Sequence, residues 1–103
     1  TMASGRTGAF HTADIPLVFD NVETASSRTR GPGAQQVADR MSDAFISLAA
    51  KGDPNHAGLP RWDRYELPRR QTMLFDVNSR MADDPRGDQR AFFSMIPYVQ
   101  PGT

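Results

Sequence analysis

The chain contains no cysteine. Disulfide stapling, thiolate catalysis and cysteine metal sites are thereby excluded, and the redox compartment stays open. It also has no excess of charge of either sign: 12 Lys and Arg balance 12 Asp and Glu, for a formal net charge of zero. Binding to a phosphate backbone rests on a surplus of Lys and Arg, so nucleic acid is not an expected partner. An anionic membrane surface is not expected either. No apolar run approaches the roughly 18 residues that a membrane span requires. The small, polar stretch Thr1 to Thr7 lacks the apolar core of a signal peptide, although in a C-terminal piece that would say nothing of the parent. The compartment is not written in the residues; a soluble, cytoplasmic chain is the expectation.

What is present is modest. The 103 residues allow one small domain, with 38% hydrophobic residues, 8 Gly and 8 Pro. A chain this short buries a small share of its surface against its ordering entropy, which predicts marginal stability in isolation. Thr1 to Phe10 reads as loop, broken by Gly5 and Gly8. Asp14 is placed to cap a short helical turn, and Pro16 fits the first turn because its missing N–H would be unbonded there. Leu17, Val18 and Phe19 follow as a compact apolar patch, and Glu23 to Gly33 reads as a solvated loop.

The strongest structural signal is a helix over Ala34 to Lys51. Val37, Met41, Phe45 and Leu48 recur on one face. Ala34, Ala38, Ala44 and Ala49 widen that face and favour helix intrinsically. Asp39, Arg40, Ser42, Asp43 and Ser47 fall mainly opposite, with Ile46 out of pattern on the polar side. Lys51 suits the negative end of the helix dipole, Gly52 can adopt the left-handed C-cap conformation, and Pro54 prevents continuation. Little else in the chain can cover this face, which points to a partner surface. Asp53 to Leu67 reads as loop, anchored by Trp62 and Tyr65. Alternation of Met73, Phe75 and Val77 with Thr72, Leu74 and Asp76 predicts one short strand over Thr72 to Val77. Asp84 to Gly87 reads as a turn, and Asp88 to Met95 as a short helix capped by Asp88 and halted before Pro97.

Three segments carry a resemblance. Gly8-Ala9-Phe10-His11-Thr12-Ala13-Asp14-Ile15-Pro16-Leu17-Val18-Phe19-Asp20-Asn21 sets a histidine in a glycine-led loop, with an acid three residues later and an apolar run beyond. Met41-Ser42-Asp43-Ala44-Phe45-Ile46-Ser47-Leu48-Ala49-Ala50-Lys51-Gly52-Asp53-Pro54-Asn55 is a helix ending in a Gly-Asp-Pro-Asn turn. Leu59-Pro60-Arg61-Trp62, Tyr65 and Thr72-Met73-Leu74-Phe75-Asp76 form a closing loop and strand. Together, in this order, they resemble the type-B carboxylesterases, the family of para-nitrobenzyl esterases and cholinesterases. Two positions depart from the family pattern: Phe45 stands where Trp is usual, and Asp63 replaces a proline. The resemblance implies an α/β class fold, this chain being the C-terminal portion of an α/β-hydrolase, mainly helical with long loops. It would be roughly the last fifth of a family enzyme.

By the same resemblance His11 is the catalytic histidine. A serine hydroxyl is a weak nucleophile and needs a base within hydrogen-bond reach. Imidazole, with a pKa near neutrality, can take the proton and return it to the leaving alcohol. An acid orients the ring, and backbone N–H groups hold the oxyanion. In this superfamily the chain order is Ser, acid, His, so a C-terminal piece holds only the last member. No Gly-x-Ser-x-Gly occurs here. The isolated chain is therefore expected to be inactive, with no organic cofactor and no metal implied.

Asp14 is read as a structural cap and not the triad acid. His56 lies in the polar Asp53 to Gly58 turn and is expected in solvent; a metal site using it and His11 would need further ligands, and none stands out. Arg69, Arg70 and the Asp83 to Arg86 run read as solvated surface. The alternative function is a non-catalytic interaction or dimerisation module derived from an esterase, using the Val37, Met41, Phe45 and Leu48 face. A third is complementation, in which a separate N-terminal piece docks and restores activity.

Overall fold

The computed structural model describes residues 8–102. The Thr1 to Thr7 part of the N-terminal loop assignment, with Gly5, lies outside them. The described residues form α1 (Ile15–Val18), α2 (Ala34–Lys51), β1 (Gln71–Leu74), β2 (Arg80–Asp83) and α3 (Gly87–Ser94). α1 packs on α2, and β1 pairs with β2.

α2 starts after Gly33 and ends at Gly52, both left-handed, and the Gly52 N–H donates to the Leu48 carbonyl at 2.8 Å. The terminal signals thus act as glycine caps do, with Lys51 in the last turn. The buried stripe is narrower and differently placed than the apolar spacing implies. Ala38, Ser42 and Ala44 are buried, whereas Phe45 is 52% and Leu48 48% exposed. Ser42 was expected on the polar face. Its hydroxyl donates to the Asp39 carbonyl at 3.3 Å, which satisfies it inside. Small side chains let neighbouring segments approach α2 along that stripe; Val37 and Met41 are half-buried, and Phe45 and Leu48 stay exposed.

The strand prediction needs correction. β1 runs Gln71–Leu74 and pairs antiparallel with a second strand, β2, in the register Gln71↔Asp83 to Leu74↔Arg80. Arg80-Met81-Ala82-Asp83 carries little intrinsic strand preference, so pairing and not propensity makes it a strand. Val77 falls on the hairpin turn, where the Asp76 carboxylate accepts its N–H at 2.7 Å and Ser79 bonds both the Asp76 N–H and its carbonyl. On β1 Gln71 and Met73 are the buried side chains. Gln71 is satisfied there by the Glu66 N–H at 3.0 Å.

Met73, Leu59 and Ala44 form the core cluster, with Trp62, Phe75 and Met81 packed against it. Trp62 meets Phe75 edge to face at 5.7 Å, a favoured aromatic geometry. The Gly-Asp-Pro-Asn turn is tied to this cluster by one side chain. Asn55 accepts the Trp62 N–H at 2.6 Å and donates to the Trp62 carbonyl at 3.0 Å, as a paired strand would. Asp53 in turn accepts from the Asn55 backbone and side chain, and those bonds hold its carboxyl below the ordinary range.

α3 begins one residue before its predicted start. Arg86 stands at the cap position, and Asp88 lies inside the first turn without a capping bond. There its charge still complements the helix dipole. The preceding Asp84 to Gly87 turn closes through Gly87 N–H to the Asp84 carbonyl at 2.9 Å. Of the residues read as solvated surface, Arg69 and Arg86 are exposed and Arg70 half-buried, and two exposed arginines are paired with acids of the Asp83 to Arg86 run. Arg69 forks onto Asp83 at 3.2 and 3.3 Å, and Arg90 onto Asp84 at 3.2 and 2.7 Å.

Candidate active-site turn

His11 lies on the turn that leads into α1. Its side chain is exposed, and its ring has no hydrogen-bond partner among the described residues. The backbone around it is closely bonded. Phe10 N–H donates to Gly8 at 3.2 Å, Ala13 N–H to Phe10 at 3.1 Å, and Ile15 N–H to Thr12 at 3.2 Å. Thr12 occupies φ +70°, and its hydroxyl bonds the His11 carbonyl. Gly8, at φ +53°, opens the turn at no steric cost.

Asp14 sits at the N-cap position of α1, as expected, but its side chain makes no capping bond. Its backbone carbonyl accepts from Leu17 and Val18 at 3.0 Å each. The carboxylate is not hydrogen-bonded to His11, so the two do not form a charge-relay pair in this structure. Pro16 takes its place in the first turn. α1 buries no residue fully, and Ile15 and Phe19 are 47% and 72% exposed.

The 23–33 loop is less solvated than its composition suggests. Thr29 is buried, and its hydroxyl donates to the Ala13 carbonyl at 2.6 Å, across 16 residues. The Ser27 hydroxyl links to the Thr29 N–H and carbonyl, which sets the local turn. Next to Thr29, the Arg28 guanidinium stands 5.0 Å from the centroid of the Phe10 ring. Val22, which the sequence reading left unremarked, is fully buried.

His56 is not in open solvent. It is half-buried, and its Nδ1 accepts the Gly58 N–H at 3.0 Å while Nε2 lies 3.0 Å from the Arg40 carbonyl. An acceptor at Nδ1 and a carbonyl at Nε2 require the tautomer with its proton on Nε2. His56 thus fastens the loop after α2 back onto that helix, and Arg40 itself donates to the carbonyls of Asp76 and Val77 in the hairpin turn. Among the described residues no group of three His, Cys, Asp or Glu could hold a metal ion, and no helix is long and apolar enough to cross a membrane.

Between α1 and α2 lies an open apolar groove of about 820 Å³. Ile15, Val18, Phe19, Phe45, Ile46 and Ala49 line it. Ile46 faces this groove, which accounts for its place outside the predicted apolar stripe.

Known proteins share sequence and fold with this chain. The profile of the Carboxylesterase family matches residues 3–93. The para-nitrobenzyl esterase of Bacillus subtilis is 25% identical over 85 residues, which cover 80% of this chain and 17% of that protein. Secreted lipase 5 of Gibberella zeae is 39% identical over 61 residues, 57% of this chain and 10% of that protein. The crystal structure of a Geobacillus stearothermophilus carboxylesterase superposes with a TM-score of 0.71 at 34% identity, covering 81% of this chain and 18% of that one. An esterase of Clostridium hathewayi gives 0.72 at 29% identity, covering 84% and 17%. The chain therefore spans less than one fifth of the length of these relatives. With the family profile covering most of its residues and the fold shared with whole enzymes, the chain belongs to the carboxylesterase family and is part of an α/β-hydrolase fold.

Proposed function

We propose that this chain is the C-terminal segment of a carboxylic-ester hydrolase and supplies His11 as general base to a serine and an acid that lie outside it. The observation that carries the reading is the placement of His11. It stands exposed on a hydrogen-bonded turn within the family-matched residues, with no partner for its ring among the described residues. A base poised for a serine supplied by another segment needs that combination: a fixed backbone and a free imidazole edge. In the assembled enzyme His11 would take the serine proton as the hydroxyl attacks the ester carbonyl, then return it to the departing alcohol. The chain alone has no nucleophile elbow and is inactive by itself.

A chimera tests this. Joined in place of the matching part of the Bacillus subtilis para-nitrobenzyl esterase, the chain should support hydrolysis of a para-nitrophenyl ester. His11→Ala should lower kcat by about 10³-fold or more. Hydrolysis by the isolated chain that is lost in His11→Ala, or an active chimera indifferent to His11→Ala, would overturn the proposal.

The second reading is an interaction module that uses the α2 face. The exposure of Phe45 and Leu48 favours it to the extent that some surface must cover them. Light scattering separates the two: an ordered dimer supports the module, a monomer the orphaned enzyme segment.

A further inference from the structure

We infer that Arg28 and Thr29 are positioning residues for His11, a clamp that grips the histidine turn from both sides. The inference rests on the role proposed for His11 and extends it. The two residues are adjacent in sequence, and each reaches a different flank of the turn. Arg28 lies over the ring of Phe10, the residue before His11, at 5.0 Å from its centroid. Thr29 donates to the carbonyl of Ala13, two residues after it, at 2.6 Å. His11 sits between the two attachment points.

The clamp is itself anchored. Thr29 is 8% exposed, so its hydroxyl bond is shielded from competing water. The Ser27 hydroxyl bonds both the N–H and the carbonyl of Thr29 at 3.3 and 3.2 Å. Five residues later the chain enters α2, the longest helix described. α1, by contrast, has four residues and no buried side chain, which makes it a poor support for a catalytic turn by itself. The histidine turn, closed by its own backbone bonds, is thus tied on both flanks by the 28–29 contact. A base displaced by about 1 Å can cost on the order of 100-fold in rate, so a turn held at both ends matters to kcat.

Two measurements test the clamp. In the isolated chain, Thr29→Val removes the hydroxyl at nearly constant volume. It should raise hydrogen exchange of the Ala13 and Ile15 amides about tenfold, while Thr29→Ser retains protection. Unchanged protection in Thr29→Val, with Met73 and Leu74 amides also unchanged, overturns the clamp. In the chimera, Thr29→Val and Arg28→Ala should each lower kcat about three- to tenfold with KM unchanged, and Thr29→Ser should restore it. If His11→Ala abolishes activity but Thr29→Val leaves kcat intact, the role of His11 stands and the clamp fails. If the chimera is inactive throughout, the exchange measurement alone decides the clamp, and the function proposed for His11 fails separately.

Discussion

The two halves of this chain are held together in different ways. Residues 53–83 close on a small core of their own, in which Leu59, Met73, Trp62, Phe75 and Met81 gather beside Ala44 of α2. Asn55 and Gln71 satisfy polar groups within the loops they brace, and His56 ties its loop to α2. Residues 8–49 have little of this. Val22 and Ala38 are fully buried, but the groove between α1 and α2 lies open, with Phe19, Phe45 and Ile46 more than half exposed. The half with the candidate chemistry is thus the one of the two that leaves more large apolar side chains exposed. Its visible ties are turn hydrogen bonds, the Thr29 bond to Ala13 and the packing of α1 on α2. That arrangement is compatible with the role proposed for His11, because the groove beside α1 stays open.

The contrast can be broken most severely from the core side. Met73→Ala should destabilise the folded chain by about 2–5 kcal/mol, the usual cost of removing a buried large side chain, since Met73 is 6% exposed at the centre of the cluster. Urea unfolding followed by Trp62 fluorescence measures it. A change below about 1 kcal/mol would show that the cluster is not the core.

The joint between the halves comes next. Gly33 takes φ +81°, and a Cβ added there would run into Val77 on the hairpin turn. Gly33→Ala should therefore cost about 1–3 kcal/mol, from left-handed backbone and overpacking together. Equal stability of wild type and variant would mean that α2 and the hairpin are not in register as described.

The open half should respond differently. Ile46→Lys places a charge in the groove at a position 63% exposed, and stability should change by no more than about 0.5 kcal/mol. Any concentration-dependent self-association measured by sedimentation should fall. A large loss of stability would show that the groove is already covered within the chain.

The smallest effect concerns acid. The fork from Arg90 holds the Asp84 carboxyl below its ordinary value of 3.8. A lowered folded value means that the pairing helps the folded state above 3.8 and that its help is lost as pH falls through the folded value. Carboxyl ¹³C titration should place Asp84 below 3.8, and Arg90→Gln should return it toward 3.8. An unaltered titration in that variant would remove Arg90 as the cause. Both partners are solvent-accessible, so the effect on global stability is small.

Much of the architecture was legible without coordinates. α2 announced itself through apolar spacing, alanine content and a glycine-proline stop, and these act locally, within the helix and its caps. The order of three motifs was likewise enough to identify the family. β2 was not legible, because Arg80 to Asp83 becomes a strand only by pairing with β1. Nor was the burial of Ser42, Thr29 and Gln71. Thr29 and Gln71 meet partners 16 and five residues away that are set by how the chain folds back, whereas Ser42 bonds within its own helix and is buried by what packs on α2. His56 followed the same rule: its composition suggested solvent, and its contacts tie it to α2.

What the residues alone determined is the inventory: one histidine in a glycine-led turn, no cysteine, no nucleophile elbow and one amphipathic helix. These follow from composition and short-range spacing. The tertiary structure decided which of them meet. It separated Asp14 from His11, joined Thr29 to Ala13, and left the large apolar residues of α1 and α2 facing an unfilled groove, because long-range contacts depend on the path of the backbone and not on its local preferences.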